Sequence, residues 1–197
     1  MEHTDADDPD LPLLHRIAHG DAAACAELVD RHLASLHATA FRLLGDASEA
    51  EDVCQDVFLA AWQAARDWQP GRARFRTWML RVATNACHDR HRKRRPEQAD
   101  VLEALPSTAP DPEQRTDREQ REQHLAVALQ QLPQRQREAL VLFHYQGCSQ
   151  IEAAGILDIS VDALESLLAR GRRRLRELLA ADGPGDADAA EGGSDGQ

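Results

Sequence analysis

The sequence predicts an all-α protein built as two small helical domains, a helical bundle followed by a helix-turn-helix domain, joined by a flexible acidic linker. Three observations carry this reading. Aromatic residues make up only 4% of the 197-residue chain while Ala and Leu abound, a balance that suits helices better than strands, which favour β-branched and aromatic side chains. Apolar residues recur at three- and four-residue spacing, and no alternating strand pattern is present. Between two such periodic regions lies an acidic stretch from Pro96 to about Arg118 that holds four prolines and little periodicity, the composition of an interdomain linker.

The elements follow in order. The acidic leader, residues 1–10, is expected to be disordered. In "HGDAAACAELVDRHLASLHATAFRLLG" Asp21 is placed as N-cap and Gly45 as stop, with Cys25, Leu28, Leu33, Leu36, Ala40 and Leu43 at helical spacing. In "DASEAEDVCQDVFLAAWQAA" Ser48 and Glu51 fit a capping box, with Val53, Val57 and Ala61 as an apolar stripe beside Phe58 and Trp62. Pro70-Gly71 breaks the pattern. "FRTWMLRVATNACHDRHRKRR" resumes a helix, with Phe75, Trp78, Met79, Val82 and Ala86 on its apolar side. The linker, 96–120, has room for a short helix at 101–105. Then come "REQHLAVALQQL", ended by Pro133, and "QRQREALVLFHYQG", closed by Gly147. Ser149 and Glu152 form a capping box for "SQIEAAGIL", and Ser160 caps the last helix after the turn "DIS". The tail, residues 182–197, is low-complexity and acidic and is expected to be disordered.

Charge is segregated. The net formal charge is −11, yet between Arg66 and Arg95 there are ten Arg or Lys residues and only two acids. The first ten residues carry five acids and no Lys or Arg, and so does the tail after Ala181. Overall negative charge argues against indiscriminate nucleic-acid binding, whereas a local basic run permits a specific site. No run of apolar residues is long enough to span a membrane, no secretory signal pattern opens the chain, and the expected location is the cytoplasm. Cys25, Cys54, Cys87 and Cys148 are far apart and read as reduced thiols at helical positions. Cys87 and His91 have an i,i+4 spacing, but no second pair completes a metal site. No GxSxG, Walker loop or HExxH occurs; neither a catalytic site, a metal nor a cofactor is expected.

Two segments carry nucleic-acid chemistry. A short capped helix, a three-residue turn and a longer basic helix describe a helix-turn-helix, whose second helix enters the major groove. That turns Ser166, Arg170, Arg172, Arg173 and Arg174 toward bases or phosphates. The residues alone equally permit an αα-hairpin with a solvated arginine face, in a helical adaptor that binds only proteins. In "ARDWQPGRARFRTW", Trp68, Arg72, Arg74 and Phe75, with Arg76, Trp78 and Arg81, offer flat rings and guanidinium planes on which an unstacked base rests. Asn85, about two turns beyond Trp78, suits reading a base edge. Core packing accounts well for Trp62 and Trp78, and less well for Trp68 and the loop arginines. A third segment, with Glu51, Asp52, Gln55, Asp56 and Leu59 on one helical side, offers an acidic face to a partner.

In this order the segments resemble the extracytoplasmic-function (ECF, group 4) sigma factors, two-domain bacterial relatives of sigma-70, over about Leu11 to Ala180. "EAEDVCQDVFLAAW" is similar to the family segment that grips core RNA polymerase. "FRTWMLRVATNACHDRHRKRR" is similar to the helix that opens and reads the −10 element. "LPQRQREALVLFHYQGCSQIEAAGILDISVDALESLLARGRRRLREL" is similar to the helix-turn-helix that reads the −35 element. The resemblance implies polymerase binding by Asp52, Gln55, Asp56 and Phe58, and a flipped-base pocket at Asn85 under a specificity loop from Trp68 to Arg74. It implies −35 contacts from Ser166 and Arg170, a sigma-2-like domain at 11–95 and a sigma-4-like domain at 121–181. It also implies core RNA polymerase and promoter DNA as partners, with an anti-sigma factor masking the polymerase-facing surfaces. The chain departs from the family pattern at Glu165, often basic, at Phe143 and His144, charged in some relatives, at Gln69, aromatic in some, and in its acidic tail.

Overall fold

The computed structural model describes residues 8–71, 73–94 and 117–181. Among them run eight α-helices, α1 Leu11–Ala18, α2 Ala22–Leu44, α3 Ala47–Ala64, α4 Phe75–Arg94, α5 Asp117–Gln130, α6 Gln134–Leu140, α7 Gln150–Leu157 and α8 Val161–Ala181, with a π-helical turn at Val141–Tyr145 after α6. No strand occurs among the described residues.

Local chemistry explains most boundaries. The Asp21 carboxylate accepts from the amides of Ala23 and Ala24, and Gly45 stops α2 at φ 74°, a conformation that costs glycine little. Ser149 and Glu152 cap α7 reciprocally, and Ser160 Oγ accepts from the amide of Ala163 at the start of α8. The start of α3 differs from expectation. Its N-cap is Asp46, which accepts from Glu49 N at 3.0 Å, so Ser48 lies inside the first turn. Both Asp46-x-x-Glu49 and Ser48-x-x-Glu51 satisfy the capping pattern, and the helix takes the earlier one. α1 is the fourth helix before the linker, beyond the three segments quoted above, and α5 begins within the stretch assigned to the linker. The short helix expected at 101–105 lies outside the described residues, as does the acidic tail.

The first half packs α1–α4 around Leu28, Leu36, Ala40, Val53, Val57, Phe58, Phe75, Met79 and Leu80, all buried. Burying each large side chain contributes about 1.5–3 kcal/mol. Leu33, expected in this stripe, is exposed, and Cys25 is half-buried. Along α4 the buried line is Phe75, Met79, Leu80, Ala83 and Cys87, while Trp78, Val82 and Ala86 are half-buried. Burial pushes the Cys54 thiol up to about 11 and Cys87 up to about 12, which keeps both protonated and unreactive at neutral pH. In the second half Gly171 lets α8 approach α6: a Cβ there would stand 3.0 Å from Leu140 Cδ1.

The two halves meet along a polar seam. The last carbonyls of a helix lack partners within it, and those of α2 find them in the second half. Gln130 Nε2 donates to Arg42 O at 2.9 Å, and Arg137 Nη1 donates to Leu43 O at 2.6 Å. The buried Arg137 also donates to Gln130 Oε1, Gln130 O and Leu132 O. A cation at a helix C-terminus suits the dipole. The Arg42 guanidinium lies 4.4 Å from the centroid of Tyr145, a cation–π contact. Further along, Gln146 accepts from Arg76 and from Ser35 Oγ, Thr77 Oγ1 donates to Glu152 at 3.2 Å, and His88 Nδ1 faces the buried Glu138 at 3.2 Å.

The acidic leader is ordered at its end. Asp8 and Asp10 are both buried. Asp10 does not cap α1 with its side chain; its two oxygens lie 2.9 Å from Arg31 Nη1 and 2.9 Å from His32 Nε2. Burial pushes the Asp10 carboxyl up, but the hydrogen bonds from His32 and Arg31 more than reverse this and hold it below its ordinary 3.8. A carboxylate depressed in the fold stabilises above its unfolded value and loses that contribution as pH falls through the folded one. Denaturant titrations should therefore find Asp10→Asn less stable than wild type by about 1.5–3 kcal/mol at neutral pH, with the gap closing below pH 3.8. A gap that holds constant into acid would show that the charge of Asp10 contributes nothing.

Candidate nucleic-acid interface

Three surfaces collect the residues singled out by sequence. The first is the turn into α4. Trp68, Phe75 and Trp78 form one aromatic cluster: Trp68 meets Phe75 edge-on at 4.8 Å between centroids, Phe75 stacks on Trp78 at 5.2 Å, and Trp68 reaches Trp78 at 5.9 Å. Such pairs add about 0.5–1.5 kcal/mol each beyond burial. Phe75 is 0% exposed, so its ring supports the other two from beneath and is not itself presented to DNA, which corrects its expected contact role. Trp68 and Trp78 are half-buried, so Trp68 is not the free surface ring that its loop position implied. The Nε1 of Trp68 is buried and finds no hydrogen-bond partner among the described residues.

Beyond the cluster, α4 presents Arg81 and Asn85, both exposed, four residues apart and therefore on one face. Arg74 is half-buried, and Arg72 lies outside the described residues. Arg76 is committed within the chain, since its Nη2 donates to Gln146 O at 2.6 Å and to Gln146 Oε1 at 3.1 Å. At the basic end of α4, Arg90 donates to Asp56 at 2.7 Å. That bond ties the basic end to the acidic face of α3.

The second surface is α8. Ser166, Arg170, Arg172, Arg173 and Arg174 are all exposed. Arg170 Nε donates to Ser166 O at 3.1 Å, which steadies the stem and leaves the terminal nitrogens free for a base edge. Arg173 and Arg174 both approach Glu177, exposed pairs worth little that exchange readily for phosphate. Glu165 accepts from Gln150 Nε2 at 3.1 Å, so this acidic departure links α8 to α7.

The third surface is on α3. Asp52, Gln55 and Asp56 are exposed, whereas Phe58 is buried at 5%. Phe58 and Gln55 line a groove of about 430 Å³ between α2 and α3, with Val29, Leu33, Leu59 and Trp62. Leu33 and Leu59 are both exposed. An apolar groove with Glu51 and His37 among its lining residues fits a helix with an apolar anchor. No group of three or more His, Cys, Asp or Glu side chains comes together among the described residues in a way that would hold a metal ion.

Sequence reasoning missed Gln146, Arg137, Glu138 and the carboxylates of Asp8 and Asp10. Each acts across the fold, and only the capping chemistry of aspartate gave any local signal.

Two family models match the chain, Sigma-70 region 2 over residues 28–97 and Sigma-70, region 4 over residues 123–175. The RNA polymerase sigma factor CnrH of Cupriavidus metallidurans is 35% identical over 187 residues, which cover 89% of this chain and 97% of that one. The chain is an ECF sigma factor of the sigma-70 family. The ECF RNA polymerase sigma factor SigW of Bacillus subtilis is 30% identical, covering 84% of this sigma factor and 94% of SigW. CnrH solved in complex with the cytosolic domain of CnrY superposes with a TM-score of 0.67 at 32% identity, over 88% of this chain and 98% of that one. RpoE of Bartonella quintana, solved with the anti-sigma factor NepR, gives 0.65 at 29% identity, over 80% and 97%. As a sigma factor the protein binds core RNA polymerase and promoter DNA and directs transcription initiation. Region 2 takes in most of α2, then α3 and α4, and region 4 takes in α6, α7 and most of α5 and α8. No helix among the described residues is long and apolar enough to cross a membrane.

Proposed function

We propose that this sigma factor divides its work among the three surfaces. The domain at 11–95 binds core polymerase through Asp52, Gln55 and Asp56 with Phe58 flooring the groove, and captures the −10 element with Trp68, Arg72, Arg74, Trp78, Arg81 and Asn85. The domain at 121–181 holds the −35 element with Ser166, Arg170, Arg172, Arg173 and Arg174, and residues 96–120 link the two. The observation that carries the reading is the strip running from the turn into α4: the half-buried rings of Trp68 and Trp78, then exposed Arg81 and Asn85 on one side of α4. A base leaving the duplex loses its stacking, and aromatic faces restore about 1–3 kcal/mol per base. Asn85 then supplies donors and acceptors for its edge. The protein makes no covalent change of its own and acts in the cytoplasm, where core enzyme and promoter meet.

An anti-sigma factor holds the chain inactive. The complexes of CnrH with the CnrY domain and of RpoE with NepR support this, and so does the apolar groove between α2 and α3. Run-off transcription tests the central reading: purified chain plus core enzyme is expected to yield discrete transcripts from a genomic promoter pool, and none would refute it. For the −35 element, Arg170→Ala should weaken duplex binding about tenfold, measured by gel shift at fixed salt. Unchanged affinity would remove Arg170 from the interface.

A further inference from the structure

Asp8 lies 67 residues from α4 along the chain, yet its Oδ2 accepts from the backbone N–H of Phe75 at 2.6 Å. Phe75 is the first residue of α4, and the first amides of a helix have no partner within it. A carboxylate there satisfies one such donor and suits the positive end of the helix dipole. The other oxygen of Asp8 accepts from Asp10 N at 3.0 Å. Asp10 in turn holds Arg31 and His32 of α2, and Arg31 also donates to Pro9 O at 2.9 Å. The three residues Asp8, Pro9 and Asp10 thus fasten the start of α4 to α2.

What they fasten matters for DNA. Phe75 ends the loop that begins at Trp68, and its ring is the fully buried platform beneath Trp68 and Trp78. A shift of the Phe75 backbone moves both half-exposed rings together. We propose that Asp8 is a positioning residue for single-stranded promoter capture. Its carboxylate fixes the first amide of α4 and so presets the Trp68–Trp78 surface before DNA arrives. Preset rings need no ordering at the moment the base unstacks. The inference deepens the −10 reading of this surface and rests on it.

The test uses the full chain assembled with core enzyme. The probe is a fork-junction DNA pool with randomised single-stranded positions, and the sequence that wild-type holoenzyme enriches serves for all variants. Asp8→Ala is expected to weaken capture of the single-stranded arm about tenfold and to lower the thermal midpoint by a few degrees, as loss of a helix cap does, with core affinity near wild type. The near-UV circular dichroism of the tryptophan cluster should lose intensity. Asp8→Asn keeps an oxygen acceptor for the amide and should recover most of the capture and the signal; it also serves if the alanine variant does not fold. Capture by Asp8→Ala at the wild-type level would overturn the proposal. So would an asparagine variant no better than alanine, or an equal loss of core affinity. If wild-type holoenzyme enriches no sequence, the −10 reading itself fails. If Trp68→Ala loses capture and Asp8→Ala does not, only the role of Asp8 is lost.

Discussion

Alanine at Asn85 is expected to slow open-complex formation about ten- to a hundredfold, while closed-complex binding stays within about twofold. The asymmetry follows from where the residue sits. Asn85 is exposed on α4, one turn beyond Arg81. Its removal is therefore expected to leave the helix intact and, on the proposed role, to take away only contacts to a base already out of the stack. Contacts made in the melted state and absent in the duplex lower the barrier to opening without tightening initial binding. Permanganate footprinting against filter binding separates the two steps. Equal losses in both would mean that Asn85 touches duplex DNA instead. Trp68→Ala behaves differently, because Trp68 packs on Phe75 and Trp78. It should lose both melting and thermal stability.

The second large effect concerns the seam. Elements centred near −10 and −35 are about 25 base pairs apart, or about 85 Å along B-form DNA. Here α4 packs directly on α7, with Thr77 bonded to Glu152 at 3.2 Å. On the proposed division of work α4 and α8 take elements this far apart, so the seam between α4 and the second half is expected to open on promoter binding. Fluorophores on α4 at Asp89 and on α8 at Arg176, both exposed, should show efficient energy transfer in the free chain. Transfer should be almost completely lost when core enzyme and promoter are added. Gln146→Ala removes the acceptor shared by Arg76 and Ser35 and should lower transfer in the free chain as well. High transfer retained on the promoter would exclude the opening.

The sequence told most about elements whose signals are local. Asp21, Gly45, Ser149 with Glu152, and Ser160 mark helix ends by capping chemistry within three or four residues, and each does so in the structure. The helix-turn-helix was legible because two such caps bracket a short turn. Where two patterns fit equally, as at Asp46 and Ser48, the local rule could not choose between them. The face of α4 was misjudged for a related reason. Its apolar residues form two adjacent stripes, and periodicity does not say which one is covered by the bundle and which lies partly under the second half. Hence Phe75 read as an accessible ring when it is the buried support. Least legible were Gln146, Arg137 and Asp8. A polar side chain that satisfies a carbonyl or amide dozens of residues away leaves no periodic trace.

The ends of α2 carry one more implication. The carbonyls of Arg42 and Leu43 accept hydrogen bonds from Gln130 and Arg137, which belong to the other half of the molecule. The halves are thus matched parts and not interchangeable modules. A hybrid protein that joined this N-terminal half to a foreign DNA reader lacking that glutamine and arginine would leave the carbonyls to water and should hold its halves together less firmly.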